Sequence, residues 1–257
     1  MGKNPQPNAT VERFYVMHPG IPDSADLLSR HALLLDIDGT LLDIAPTPEQ
    51  VHVPEGLPML LASLHRQMGG ALALVTGRPL VQAVALMGSL PTSAEHGAVL
   101  CLPPAEPVRL NLPRVPDDWR AAAARLAEAH PGARVETKHA GFVLHYRAIP
   151  EAGLVLEQGL RDMIAGDARF EILPASMAWE LRPRGTDKGI GLNALMESPA
   201  FAGRLPLFIG DDVTDQAAIA AAEAMGGMGL QMDASFETPT ALRAWLASLP
   251  AEAEEKL

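Results

Sequence analysis

Asp36 and Asp38 stand one residue apart at the end of the apolar run Ala32, Leu33, Leu34 and Leu35, and Gly39 turns the chain directly after them. Two carboxylates at the mouth of a hydrophobic core repel each other and resist desolvation, so the arrangement needs a compensating charge. Mg²⁺ suits it, because that ion takes oxygen donors and shares its shell with substrate phosphate. With positive charge nearby, a phosphate can approach Asp36 although the chain carries a formal charge of −11. The Asp36 carboxylate could then attack phosphorus and form an aspartyl-phosphate. Asp38 could protonate the leaving alkoxide and afterwards deprotonate water. Gly39 and Thr40 would turn backbone N–H groups toward the phosphate oxygens.

Three more polar clusters recur in the same setting. Thr76-Gly77-Arg78 follows the apolar "ALALV", Gly210-Asp211-Asp212 follows "RLPLFI", and Lys188 lies in the first turn of a helix in "GTDKGIGLNALM". Each has a plainer reading alone. The Asp-x-Asp could be a turn or a cap, Thr76-Gly77 a strand-to-helix turn, and Lys188 a surface residue. Asp211, Asp212 and Asp215 could simply crowd a helix N-terminus, where the dipole favours acid. The ordered set of four is far more specific than any member.

The elements that must position these residues follow from periodicity. Leu57, Leu60, Leu61, Leu64 and Met68 recur at helical spacing, and Gly69-Gly70 stops that helix. Helices are also expected over "LVQAVALMG", "VTDQAAIAAAEAMGG" and "TALRAWLASL", and a last short strand over "GMGLQM". Buried strands alternating with helices predict a parallel α/β sheet covered on both faces. Ligands of such sheets bind outside the carboxyl ends of the strands, where the clusters converge. The middle of the chain reads as α+β. An Ala-rich helix over 118–130 precedes "ARVETKHA" and "GFVLHYRA", a hairpin with one wet face, then a helix near 151–165 and the strands "FEILP" and "MAWELRP". The expected organisation is a weakly ordered extension over 1–30, a core domain over 31–112 and 184–257, and an inserted domain over 113–183.

"DIDGTL", "VTGR", Lys188 and "GDDVTD" stand in the order of the four motifs of the haloacid-dehalogenase-like phosphatases, which this set resembles. The resemblance implies a Rossmann-like haloacid-dehalogenase core carrying an α+β cap. It implies Asp36 as nucleophile, Asp38 as acid/base, and Thr76 and Lys188 as phosphate binders, with Gly77 and Arg78 beside them in the substrate site. It also implies Mg²⁺ held by Asp36, the backbone carbonyl of Asp38, and Asp211, with Asp212 and Asp215 behind or beside the metal. A closer similarity runs from about residue 31 to 249, through "DIDGTLLDIAPTP", "VTGRP", "EHGA", "VETKHAGFVLHYR", "WELRPRGTDKG" and "GDDVTD", to the bacterial trehalose-6-phosphate phosphatases. One departure stands out: Gln216 occupies a position where that family typically has Glu.

Glu136 and Lys138 are two apart, as are Glu180 and Arg182, so within a strand each pair shares a face. Such a face suits a hydroxyl-rich sugar, and it equally describes a solvated sheet. The family resemblance implies that Glu136, Lys138 and Glu180 contact the distal glucose, with Arg182 on the same face. His96 and Gly97 would line the core side of the cleft, His96 having a buried structural role as its alternative. The implied reaction is hydrolysis of trehalose 6-phosphate. Its rivals are another sugar phosphate (sucrose phosphate or a glycosyl-phosphoglycerate), a phosphomutase, and an inactive sugar-phosphate sensor.

Composition narrows the classes further. A chain of 257 residues can bury a substantial core. No apolar stretch reaches the ~18 residues of a membrane span, and the start "MGKNPQPNATVERFYVMHPG" lacks a secretory apolar block. The acidic balance and the lack of a basic stripe argue against nucleic acid. Cys101 is the single cysteine, so no intrachain disulfide can form, and it reads as a small buried hydrophobe. The expectation is a cytoplasmic monomer acting on a small molecule, with neither nucleic-acid nor membrane partner.

Overall fold

The computed structural model describes residues 20–46 and 50–255. In chain order the elements are α1 (Ser24–Arg30), β1 (His31–Leu35), α2 (Leu57–Gln67), β2 (Leu72–Val75), α3 (Leu80–Met87), β3 (Thr92–Ala94), β4 (Val99–Cys101) and β5 (Val108–Arg109). Next come α4 (Asp117–Glu128), β6 (Arg134–Thr137), β7 (Phe142–His145), α5 (Gly153–Met163), β8 (Phe170–Ala175) and β9 (Ala178–Pro183). The chain closes with α6 (Lys188–Met196), β10 (Leu205–Gly210), α7 (Gln216–Ala224), β11 (Met228–Gln231), α8 (Met232–Ser235) and α9 (Pro239–Glu255).

The larger sheet runs β11-β10-β1-β2-β3-β4-β5. Every residue of β1 and β2 is buried, as strands covered on both faces must be. Register does the positioning. Leu35 pairs with Ile209 on one side and Leu74 on the other, so the chain leaves three adjacent strands almost level, at Asp36, Asp211 and Thr76. The sheet is parallel from β11 to β3, but β4 and β5 run antiparallel at its edge. An all-parallel expectation therefore needs correcting. Strands of three, three and two residues are too short to show a period, and "EHG" interrupts them.

A second correction concerns the N-terminal stretch expected to be weakly ordered. Its residues 1–19 lie outside the described residues, but 24–30 form α1. The Asp23 carboxylate accepts from the Asp26 N–H at 3.0 Å as N-cap, and Leu27 is fully buried against the core.

The smaller sheet is antiparallel throughout, in the order β6-β7-β9-β8. Phe142, Leu144 and Leu181 point from it toward Leu156 and Leu160 of α5 and Ala123 of α4, making a separate apolar cluster. Trp119 meets Phe170 edge-on at 5.0 Å. The alternate residues Glu136, Val143, His145 and Glu180 face the other way, into a cleft against the larger sheet. The hairpin's wet face is thus a lining, not open surface. Cys101 is buried, as a small hydrophobe should be. Among the described residues no helix is long and apolar enough to cross a membrane.

Candidate active site

Asp36, at the end of β1, is almost wholly buried, and Lys188 Nζ lies 3.0 Å from its Oδ1. Lys188 starts α6, where the helix dipole disfavours a cation, so its place depends on acids. It also donates to Oδ1 of fully buried Asp215 at 2.6 Å. Burial alone would lower the Lys188 pKa, but Asp36 and Asp215 hold it above its ordinary value. Asp215 Oδ2 accepts the N–H groups of Asp211 and Asp212, both at 3.0 Å, and so fixes the loop that carries Asp211. Asp212 caps that turn by accepting from the Thr214 N–H at 2.7 Å. Gly39 has φ +73°, and a Cβ there would collide with the Asp211 carboxylate, so only glycine lets the two loops meet. Thr76 Oγ1 accepts from the Arg78 N–H at 3.1 Å, which leaves its hydroxyl proton to donate into the cleft.

These acids form a set that a hard cation would satisfy. Asp36, Asp211 and Asp215 bring carboxylate oxygens within 4.8 Å of one another. Both Asp215 oxygens already accept strong donors, so Asp36 and Asp211 are the carboxylates with coordinating capacity to spare. Burial, reinforced by Asp215, Asp211 and Asp38 against the pull of Lys188, pushes Asp36 well above the carboxylate range. Burial together with Asp212 and Asp215 pushes Asp211 up to about 6. Such elevation is the cost of burying anions and crowding them together, and a divalent cation offsets it. The all-oxygen donor set fits Mg²⁺.

The same cleft, about 290 Å³, extends from Asp36, Thr76 and Lys188 to Glu136, Lys138 and Glu180 on the smaller sheet. Glu180 is buried between two partners: Lys138 Nζ lies 2.7 Å from its Oε1, and His96 Nε2 lies 3.1 Å from its Oε2. Burial would raise the Glu180 carboxyl, but Lys138 and His96 hold it well below its usual range. Burial also lowers His96, which makes it a neutral donor to a charged acceptor. His96 has φ +53° and packs on Gly77, where a Cβ would sit 2.5 Å from Nε2. A carboxylate, an ammonium and an imidazole converge here on one side of a cavity whose other end holds the paired Asp36 and Lys188.

The trehalose-phosphatase family profile matches residues 34–240 of this chain. The chain belongs to the trehalose-phosphatase family. It is 38% identical over 211 residues to a probable trehalose-phosphate phosphatase of Sinorhizobium fredii, covering 80% of this chain and 78% of that protein. It is 32% identical over 218 residues to the trehalose-6-phosphate phosphatase of Escherichia coli K12, covering 82% and 81%. In fold it is similar to the C-terminal domain of Candida albicans trehalose-6-phosphate phosphatase, with a TM-score of 0.72, 22% identity, and 86% and 93% coverage. A haloacid dehalogenase-like hydrolase of Bacteroides thetaiotaomicron shares the fold with a TM-score of 0.60 at 14% identity, covering 86% and 99%.

For this trehalose-phosphatase family member, not every expected site residue lies in the cleft. Asp36, Asp38, Thr76, Gly77, Arg78, His96, Glu136, Lys138, Glu180, Lys188, Asp211 and Asp212 line it. Gly97 does not: it packs on the backbone of Asp187 and Gly191 at the start of α6. Arg182 shares the face of Glu180 as its spacing requires, but it lies off the cleft with its Nε donating to Glu171 Oε1 at 3.1 Å. Gly39 and Thr40 stand behind the cleft wall, the Thr40 hydroxyl 3.5 Å from Asp211 Oδ1. Arg78 reaches Asp38 in place of an open phosphate position, with Nε to Oδ2 at 2.7 Å and Nη2 to Oδ1 at 2.6 Å. Gln216 stands one step further out, donating to Gln231 Oε1 at 2.8 Å while Gln231 donates to the Asp211 carbonyl at 2.6 Å.

Sequence reasoning passed over Gln82, His145 and Arg147, which also line the cleft, and Glu95, which braces it. Glu95 has φ +49°, and its carboxylate accepts the N–H groups of His139 and Ala140 at 3.0 and 2.9 Å. It thereby ties the larger sheet to the hairpin turn that carries Lys138. His145 could have been found, because it alternates with Phe142 and Leu144 and shares the wet face. Gln82 lies in the first turn of α3, three residues past the Pro79 cap that follows Arg78, and its Oε1 accepts from Arg78 Nη1 at 3.1 Å.

Proposed function

We propose that the protein hydrolyses trehalose 6-phosphate to trehalose and phosphate through an aspartyl-phosphate on Asp36, as a Mg²⁺-dependent cytoplasmic monomer whose residues 113–183 act as the cap. The carrying observation is Glu180, clamped by Lys138 and His96 at the far end of the cavity that holds Asp36 and Lys188. A sugar hydroxyl needs donors and acceptors together, and that cluster offers both.

Lys188 and the Thr76 hydroxyl orient the phosphate, and an Asp36 oxygen attacks phosphorus in line with the sugar oxygen. The P–O bond to the sugar breaks while Asp38 gives its proton to the departing alkoxide. Water then attacks the acyl phosphate, Asp38 takes the proton from that water, and phosphate leaves with the Asp36 carboxylate restored. Asp36, the backbone carbonyl of Asp38, and Asp211 would hold Mg²⁺, which supplies charge neutralisation to the phosphoryl oxygens when bound. Asp215 and Asp212 serve by fixing Lys188 and the loop of Asp211.

A phosphate-release screen across trehalose 6-phosphate, sucrose 6-phosphate, glucosyl-3-phosphoglycerate and glucose 6-phosphate is expected to show trehalose 6-phosphate first by kcat/KM. A preference for any of the others would overturn the substrate reading. EDTA is expected to silence the protein and Mg²⁺ to restore it. Asp211→Ala should raise the Mg²⁺ concentration for half-maximal rate by about tenfold or more, as loss of a charged ligand implies. Gln216→Ala, two hydrogen bonds removed from the Asp211 carbonyl, should shift it much less. Equal shifts from the two substitutions would mean the ligands are misassigned.

A further inference from the structure

A line of hydrogen bonds crosses the cleft and joins the smaller sheet to Asp38. His145 Nε2 lies 2.9 Å from Glu136 Oε2, and Gln82 Nε2 donates to Glu136 Oε1 at 3.4 Å. Gln82 Oε1 accepts from Arg78 Nη1 at 3.1 Å, and Arg78 holds both Asp38 oxygens. Gln82 stands at the middle, between a carboxylate and a guanidinium. Its partners fix its amide orientation, since nitrogen must face the carboxylate and oxygen the guanidinium. The Gln82 amide donates to an anion and accepts from a cation at once. Glutamate there would repel Glu136, and lysine would repel Arg78.

The bond lengths identify where the line yields. Glu136 Oε2 is held closely by His145, whereas Oε1 is held by Gln82 at the long end of hydrogen bonding. Burial would raise the Glu136 carboxyl, but His145 and Lys138 hold it below its ordinary value, so it is an anion ready to accept a hydroxyl. We propose that Gln82 is a specificity-determining positioning residue: sugar engaging Glu136 acts through Gln82 on Arg78, and so on the placement of Asp38. The inference rests on the sugar-phosphate reading above and deepens it. It makes proton transfer responsive to the sugar, because the acid/base is held by an arginine whose other end answers to the cap. A small aryl phosphate, lacking a sugar, would not move this line.

A double-mutant cycle tests it, because coupling shows as non-additivity. Wild type, Gln82→Glu, Glu136→Gln and the double variant are compared with trehalose 6-phosphate and 4-nitrophenyl phosphate. Amide hydrogen exchange over residues 134–145 is measured on the same proteins without substrate. In Gln82→Glu the new carboxylate keeps Arg78 but opposes Glu136. The ratio of kcat/KM for trehalose 6-phosphate over the aryl phosphate should fall about tenfold or more, the usual scale for a hydrogen bond to a charged group, and the hairpin amides should exchange faster. In the Glu136→Gln background the line re-forms with donors reversed: residue 136 donates to residue 82 and still accepts from His145. There the same substitution should cost less than about threefold, with exchange restored. An equal cost in both backgrounds, a proportionate loss on both substrates, or no cost in the single variant would overturn the proposal. A wild type active on the aryl phosphate but inert to trehalose 6-phosphate would instead sink the substrate reading. The exchange cycle would then decide on Gln82 alone, additivity counting against it.

Discussion

Asp36→Asn protein is expected to fold normally and to release phosphate at least ~10⁴-fold more slowly than wild type, the scale seen when a nucleophile is removed. The amide has nearly the shape of the carboxylate but cannot form an acyl phosphate by direct attack. Lys188 would keep Asp215 at 2.6 Å, so the lysine stays paired. Folding should not suffer. Burial and the acids around it already hold the Asp36 carboxyl well above its ordinary range, which means its ionised form is disfavoured in the metal-free protein. A neutral amide escapes that repulsion, so the melting temperature without Mg²⁺ should be unchanged or higher. Phosphate release within about tenfold of wild type, from protein shown to be folded, would exclude Asp36 as the nucleophile.

Glu180→Gln is expected to separate sugar recognition from phosphate chemistry. The ratio of kcat/KM for trehalose 6-phosphate over 4-nitrophenyl phosphate should fall about 10²-fold, as when a buried charged hydrogen-bond partner loses its charge. Glutamine is the informative substitution because alanine would leave the buried Lys138 and His96 with no acceptor at all. Breaking one side of a buried pair costs about 3–5 kcal/mol, which would confound a kinetic reading with unfolding. Glutamine keeps an oxygen for Lys138 at the 2.7 Å position, and the His96 ring can change tautomer to meet the amide. Loss in equal proportion on both substrates would place Glu180 in support of the fold and not in contact with sugar.

Several features of the molecule are readable along the chain because they are local. The apolar runs before Asp36, Thr76 and Asp211 dictate buried strands, and in a parallel sheet all such strands release their polar residues at one edge. Alternation in "GFVLHYR" likewise dictates which residues of β7 face the apolar cluster and which the cleft. What the tertiary structure alone decided is which donor meets which acceptor. Arg78 could have met phosphate or carboxylate, and the turn after β2 brings it to Asp38. Gly97 and Arg182 have the right neighbours in sequence, yet packing on α6 and pairing with Glu171 take them off the cleft. Gln82 meets Glu136, and Glu95 meets the His139 and Ala140 amides, only because the two sheets close on each other. A side chain's type and face follow from its own segment, but its partner depends on register, sheet order and the approach of other segments, and those are properties of the whole fold.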